Sequence, residues 1–90
     1  MPQVRVEFFG VPRERAACQV IDVNVTELTL SDVLAETARQ LPEFARRCLI
    51  DGRLQPGLIA NINGRQFTAD AMTRLTDGDS VLILSADVGG

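Results

Sequence analysis

Histidine, lysine, tyrosine and tryptophan are all absent from this 90-residue sequence. Without His it lacks the usual general base near neutral pH, and without Lys the usual Schiff-base amine. No lysine can receive the C-terminus of another protein. Carboxylates, Arg, Ser and Thr remain, so catalysis is not forbidden. The composition nonetheless reads as a substrate or binding partner rather than a self-sufficient enzyme. The two cysteines, Cys18 and Cys48, form no CxxC pair. They are expected to be reduced thiols acting as small hydrophobes, and no metal site is expected. A [2Fe–2S] centre is excluded because it needs four ligands. No apolar run approaches the ~20 residues of a membrane span. The segment Met1-Pro2-Gln3-Val4-Arg5 lacks the charged-then-apolar pattern of a signal peptide, so a cytoplasmic location is expected. The net charge of −3 leaves no broad basic surface for a phosphate backbone, and nucleic acid is not an expected partner.

What is present is a well-patterned small domain. Hydrophobic residues make up 46% of the sequence, too many for a disordered chain. The length fits one domain, 1–90, with one thin core and no deep catalytic cavity. In the first segment Val4, Val6 and Phe8 alternate with Arg5, Glu7 and Phe9, the mark of a half-buried strand. Gly10 and Pro12 break it, and a second strand is expected from Cys18 to Val25, with Ile21, Val23 and Val25 on one face. Leu30, Val33, Leu34 and Leu41 recur at helical spacing, with Ser31 as the expected N-cap and Pro42 setting the end near Leu41. Pro42 to Leu49 reads as a further short helical turn that adds Phe44 and Leu49 to the core. Asp51-Gly52 and Pro56-Gly57 mark turns. Leu58 to Ile62 reads as a strand, turned at Asn63-Gly64 into Arg65 to Thr68. Ser80 to Ser85 is apolar on both faces, as in a central strand.

The resulting order, β-β-α-β-β-β, is α+β in two layers, with one main helix covering one face of the sheet. The other face stays open, although the last strand gives it apolar side chains. Such a patch points to a partner surface.

The sequence closes on Ser85-Ala86-Asp87-Val88-Gly89-Gly90. No bulky residue stands between the last strand and the two glycines. A thin, flexible tail over 86–90 is expected, carrying a free carboxylate. Glycine suits a tail that threads a narrow active site, because it has no Cβ and lets other backbone approach closely. A carboxylate is a poor electrophile until activated. As a mixed anhydride with AMP it is open to sulfur or nitrogen nucleophiles.

Three landmarks together resemble a known family. Val6-Glu7-Phe8-Phe9-Gly10-Val11-Pro12-Arg13-Glu14 resembles the first strand and loop of the small subunit of molybdopterin synthase. Leu75-Thr76-Asp77-Gly78-Asp79-Ser80-Val81 resembles that family's penultimate turn, and Gly89-Gly90 its end. The wider group is the MoaD/ThiS sulfur carriers, and the resemblance spans essentially the whole chain. It implies the ubiquitin-like β-grasp fold, with a mixed sheet. It also implies that an ATP-dependent, ubiquitin-activating-type adenylyltransferase activates the Gly90 carboxylate, with Gly89 beside it, for conversion to a thiocarboxylate. No cofactor would be bound to the chain itself, ATP being used by the activating enzyme. A sulfur-accepting enzyme, such as the large subunit of molybdopterin synthase, would be the second partner.

The resemblance also implies a docking patch. Strand parity puts Phe9 on the solvent face, and the positions matching Phe9, Leu84 and Phe67 form the family's apolar patch beside the tail. Core packing is the competing reading for Leu84 and Phe67. Arg13 and Glu14 match a family loop that serves as a charged rim or is simply solvated. Asp87 and Val88 precede the diglycine where the family often has small or hydroxyl residues, with prolines upstream. Asp87 sets a negative charge near the reactive end, which an activating enzyme has to accommodate. Molybdopterin is the favoured acceptor pathway, with thiamine thiazole, cysteine and tRNA thiolation as alternatives. A protein modifier conjugated through Gly90 and a noncatalytic β-grasp adaptor are the readings outside sulfur transfer.

Overall fold

A computed structural model describes residues 1–89, and of Val88 and Gly89 only the backbone. Its elements in chain order are β1 (Gln3–Phe8), α1 (Val11–Ala16), β2 (Val20–Asn24), α2 (Leu30–Gln40) and α3 (Pro42–Cys48). Then come β3 (Leu49–Ile50), β4 (Arg53–Leu54), β5 (Leu58–Ile62), β6 (Gln66–Thr68), β7 (Ser80–Ser85) and the single turn α4 (Ala86–Gly89). Five strands form one mixed sheet in the order β2-β1-β7-β5-β6. β1 and β7 run parallel at its centre, and the other pairs are antiparallel. This is the expected α+β architecture, with β7 central as its two apolar faces require.

The alternation in β1 is realised: Val4, Val6 and Phe8 are buried while Arg5 and Phe9 are exposed. They join Val23, Ala60, Val81 and Ile83 under the helices, where Leu30, Val33, Leu34 and Phe44 close the core. Phe44, expected as an attachment to the core, lies at its centre instead. It has no exposed surface and heads the fully buried side chains in volume. Its ring meets Phe8 edge-on, with centroids 5.3 Å apart and planes at 63°, the arrangement that aromatic quadrupoles favour.

Three local expectations change. The segment after Gly10 is not a plain loop but the helix α1, with Pro12 in its first turn. There the missing N–H costs nothing, because first-turn donors have no helical partner anyway. The cap of α2 is Thr29, not Ser31. Thr29 is extended, and its hydroxyl accepts from the Asp32 amide at 3.2 Å. The carboxylate of Asp32 in turn accepts from the Glu27 amide at 2.9 Å, so the helix start is held from both sides. The Asn63-Gly64 hairpin has a three-residue loop, because Ile62 pairs with Gln66 and the Arg65 amide donates to the Ile62 carbonyl at 3.0 Å.

Gly10 links β1 to α1 at φ 67°, ψ −130°, a region essentially closed to residues with a Cβ. A Cβ added there meets no atom within 4 Å, so the cost of a side chain is backbone strain alone. Gly10→Ala is therefore expected to destabilise the fold by about 1–3 kcal/mol, measured by urea unfolding. A change near zero would show that the turn relaxes.

Candidate functional site: the open sheet face and the strand leading to Gly90

One face of the sheet carries the helices, and the strand registers define the other as rows of side chains. Phe8 pairs with Ile83 and Ile59 with Leu84, and the Phe9 amide donates to the Ile83 carbonyl at 3.0 Å. The first row therefore runs Phe9, Leu84, Ile59. In the next, Val20 pairs with Glu7, Glu7 with Leu82, Leu82 with Asn61 and Asn61 with Phe67. A third row holds Asp22, Arg5 and Ser80, with an Arg5–Asp22 ion pair at 3.5 Å.

The expected docking residues share this face in different ways. Phe9 is 51% and Phe67 49% exposed, large rings turned to solvent. Leu84 is only 6% exposed and stands apart from the core under the helices. It is the floor of the apolar row rather than its contact surface. Phe67 lies one row below Phe9 and at the far edge of the sheet, so the three residues bound a broad patch rather than a tight cluster. Arg13 joins Phe9, Glu7, Val20 and Leu82 around a shallow hollow of about 320 Å³. Glu14 lines a different depression, with Arg13 and Cys18. Val20, Ile59 and Leu82 complete the apolar surface; the alternation of β1, carried through the registers, is the signal that finds them.

The first row lies at the end of the sheet from which the C-terminal segment leaves. Leu58 pairs with Ser85, and the Ala86 amide donates to the Gly57 carbonyl at 2.8 Å. From there the backbone turns into α4 with Asp87 exposed. The expected tail thus begins as a helical turn. Gly90, the Val88 side chain and the surface of Gly89 lie outside the described residues.

Among the described residues no group of three or more His, Cys, Asp or Glu is placed to hold a metal. Cys18 and Cys48 are both free thiols. Burial pushes the Cys48 thiol above the ordinary value of 9.0, against the weaker opposite pull of Arg15 and Arg47. No helix among the described residues is long and apolar enough to cross a membrane. The open face has breadth, apolar rings and an exit for a chain terminus.

A family model matches residues 6–90 and bears the description ThiS family. The chain belongs to the ThiS family. No curated protein sequence matches it, but solved structures do. Small archaeal modifier protein 1 of Haloferax volcanii superposes with a TM-score of 0.80 at 21% identity, covering 94% of this chain and 98% of its own. The Pyrococcus furiosus chain named for molybdopterin converting factor subunit 1 gives 0.71 at 19%, covering 94% and 98%. A chain of the BexX/CysO complex of Amycolatopsis orientalis gives 0.70 at 18%, covering 97% and 99%. These likenesses establish the ubiquitin-like β-grasp fold. The protein is accordingly a ThiS/MoaD-like chain with the fold of the ubiquitin-like sulfur carriers, a family of small carriers that are not catalytic themselves.

Proposed function

We propose that this ThiS-family protein carries sulfur on Gly90. A ubiquitin-activating-type enzyme joins the Gly90 carboxylate to AMP from ATP, releasing pyrophosphate. Hydrosulfide then displaces AMP and leaves a thiocarboxylate; with a persulfide donor the outer sulfur displaces AMP to form an acyl disulfide, and a second thiol cleaves its S–S bond, leaving the thiocarboxylate and a disulfide. The open face docks the activating enzyme and afterwards the sulfur acceptor. Asp87 meets a cationic residue of the activating enzyme, and Val88 and Gly89 line the path into its active site. The observation that carries this reading is the family match running through Gly89-Gly90, with the Phe9–Leu84–Ile59 row beside the strand that leads there. Within sulfur transfer, molybdopterin formation is the acceptor pathway we favour, supported by the Val6–Glu14 segment. The activated end is equally open to amines, and conjugation to other proteins is the competing outcome.

The test is sulfur loading. Protein incubated with ATP, a ubiquitin-activating-type enzyme, a thiol reductant and a cysteine desulfurase fed with cysteine radiolabelled at sulfur should take up label that survives gel filtration. Deleting Gly89-Gly90 should abolish uptake while the melting temperature stays unchanged. Label retained by the shortened chain would contradict the proposal.

A further inference from the structure

Asn61 is the one buried polar side chain among the described residues with an unmet hydrogen-bonding atom, its Oδ1. The residue is 7% exposed and sits on the open face between Leu82 and Phe67. A carbonyl oxygen removed from water without a donor is costly to keep. Such a group in a native fold calls for an explanation beyond folding. Asn61 lines a hollow of about 400 Å³ with Glu7, Asn63, Gly64, Ser80 and Leu82. Asn63 is already occupied, giving a hydrogen bond to Asp79 at 2.9 Å and receiving one from the Ser80 amide at 2.8 Å. Glu7 takes part in no ion pair among the described residues, whereas Arg5 beside it is paired with Asp22. The hollow thus has an unpaired carboxylate on one wall, the Asn61 amide, with its buried unmet oxygen, on the other and no cation in its lining.

We propose that this hollow receives an arginine side chain from a protein that docks on the open face. Glu7 and Asn61 flank Leu82 two strand spacings apart, roughly 10 Å between backbones. Both residues line the hollow together with Leu82, so a planar fork with donors on both edges can reach one with each edge. A guanidinium fits two separated acceptors in this way, while a compact ammonium satisfies one. The terminal torsion of Asn is soft, so a turn of the amide brings Oδ1 to the incoming donor. The carboxylate supplies charge complementarity, and Val20, Leu82 and Phe67 in the same row shield the pair from water. The proposal rests on the docking role given to this face above. It adds the chemistry of the contact that enzyme partners must supply.

The test uses isotope-labelled protein titrated with N-acetyl-arginine methylamide and, separately, with N-acetyl-lysine methylamide, followed by amide chemical shifts. Saturable shifts are expected at Glu7, Asn61, Ser80 and Leu82, with the arginine probe bound at least about fivefold more tightly than the lysine probe. Glu7→Gln should weaken the arginine probe by about tenfold. Asn61→Leu should weaken it likewise yet raise the melting temperature, by about 4–8 °C, because the unmet oxygen is gone. Equal response to both probes, no shift in the row, or a lower melting temperature for Asn61→Leu would overturn the proposal. So would concentration-dependent self-association that occupies the row and blocks the arginine probe. The titration needs neither enzyme nor ATP, so its outcome is read apart from the sulfur-loading result.

Discussion

Phe44→Ala is expected to destabilise the protein by about 3–5 kcal/mol. The ring is wholly buried, meets Phe8 edge-on and ties α3 to the sheet. Its removal deletes the largest of the fully buried side chains and opens a cavity between two layers, which a thin core cannot refill by collapse. A domain of this size commands only ~5–13 kcal/mol in total. The loss therefore takes a large share of the stability and lowers the melting temperature by about 15–30 °C. Phe44→Leu keeps most of the volume and should cost about 1–2 kcal/mol. Calorimetry on the two variants checks both figures. A loss below about 1 kcal/mol for Phe44→Ala would mean that α3 is not integral to the fold.

Phe9→Asp should behave in the opposite way. Phe9 is 51% exposed on the face away from the core, so its replacement should change stability by no more than about 0.5 kcal/mol. The same change puts a charge at the exposed end of the apolar row, beside the strand that leads to Gly90. An aromatic anchor in a desolvated interface typically carries ~2–4 kcal/mol of binding. The KM for this protein in ATP–pyrophosphate exchange by a ubiquitin-activating-type enzyme is therefore expected to rise at least about 30-fold. An unchanged KM would remove Phe9 from the docking surface. Leu84→Asp is not an equivalent probe, since Leu84 is nearly buried and its change would damage the fold and the surface together.

The fold was legible in the sequence where one physical rule dominated. Alternation in β1, the helical stripe of α2, the Asn63-Gly64 turn and the doubly apolar β7 each follow from a single periodicity or turn preference, and all are present. The structure departs from the sequence expectation where two rules compete. Pro12 reads as a breaker after Gly10, yet Pro is equally at home in the first turn of a helix, and α1 takes that option. Thr29 and Ser31 are both capping residues; the burial of Leu30 decides for Thr29, because Leu30 must already be helical to turn into the core. Of the candidate site, Phe9 was legible from parity alone. Leu84 and Phe67 needed the register between strands, which places one beneath the patch and the other at its edge. Asn61 carries a local signal, a polar residue inside the apolar run Leu58–Ile62. Its meaning depends on what stands beside it across β7, and local sequence does not contain that.

The central claim is the chemistry of Gly90, and the mass of its peptide tests it most directly. With no lysine in the sequence, trypsin cutting after Arg74 releases Leu75 to Gly90 as one peptide. That peptide contains neither Met nor Cys, so a gain equal to sulfur replacing oxygen cannot arise from their oxidation. The peptide should be taken from protein co-expressed with its genomic neighbours and analysed by high-resolution mass spectrometry. The account predicts a population carrying that gain at Gly90. Only the free carboxylate, with ATP and a competent activating enzyme present, would contradict it.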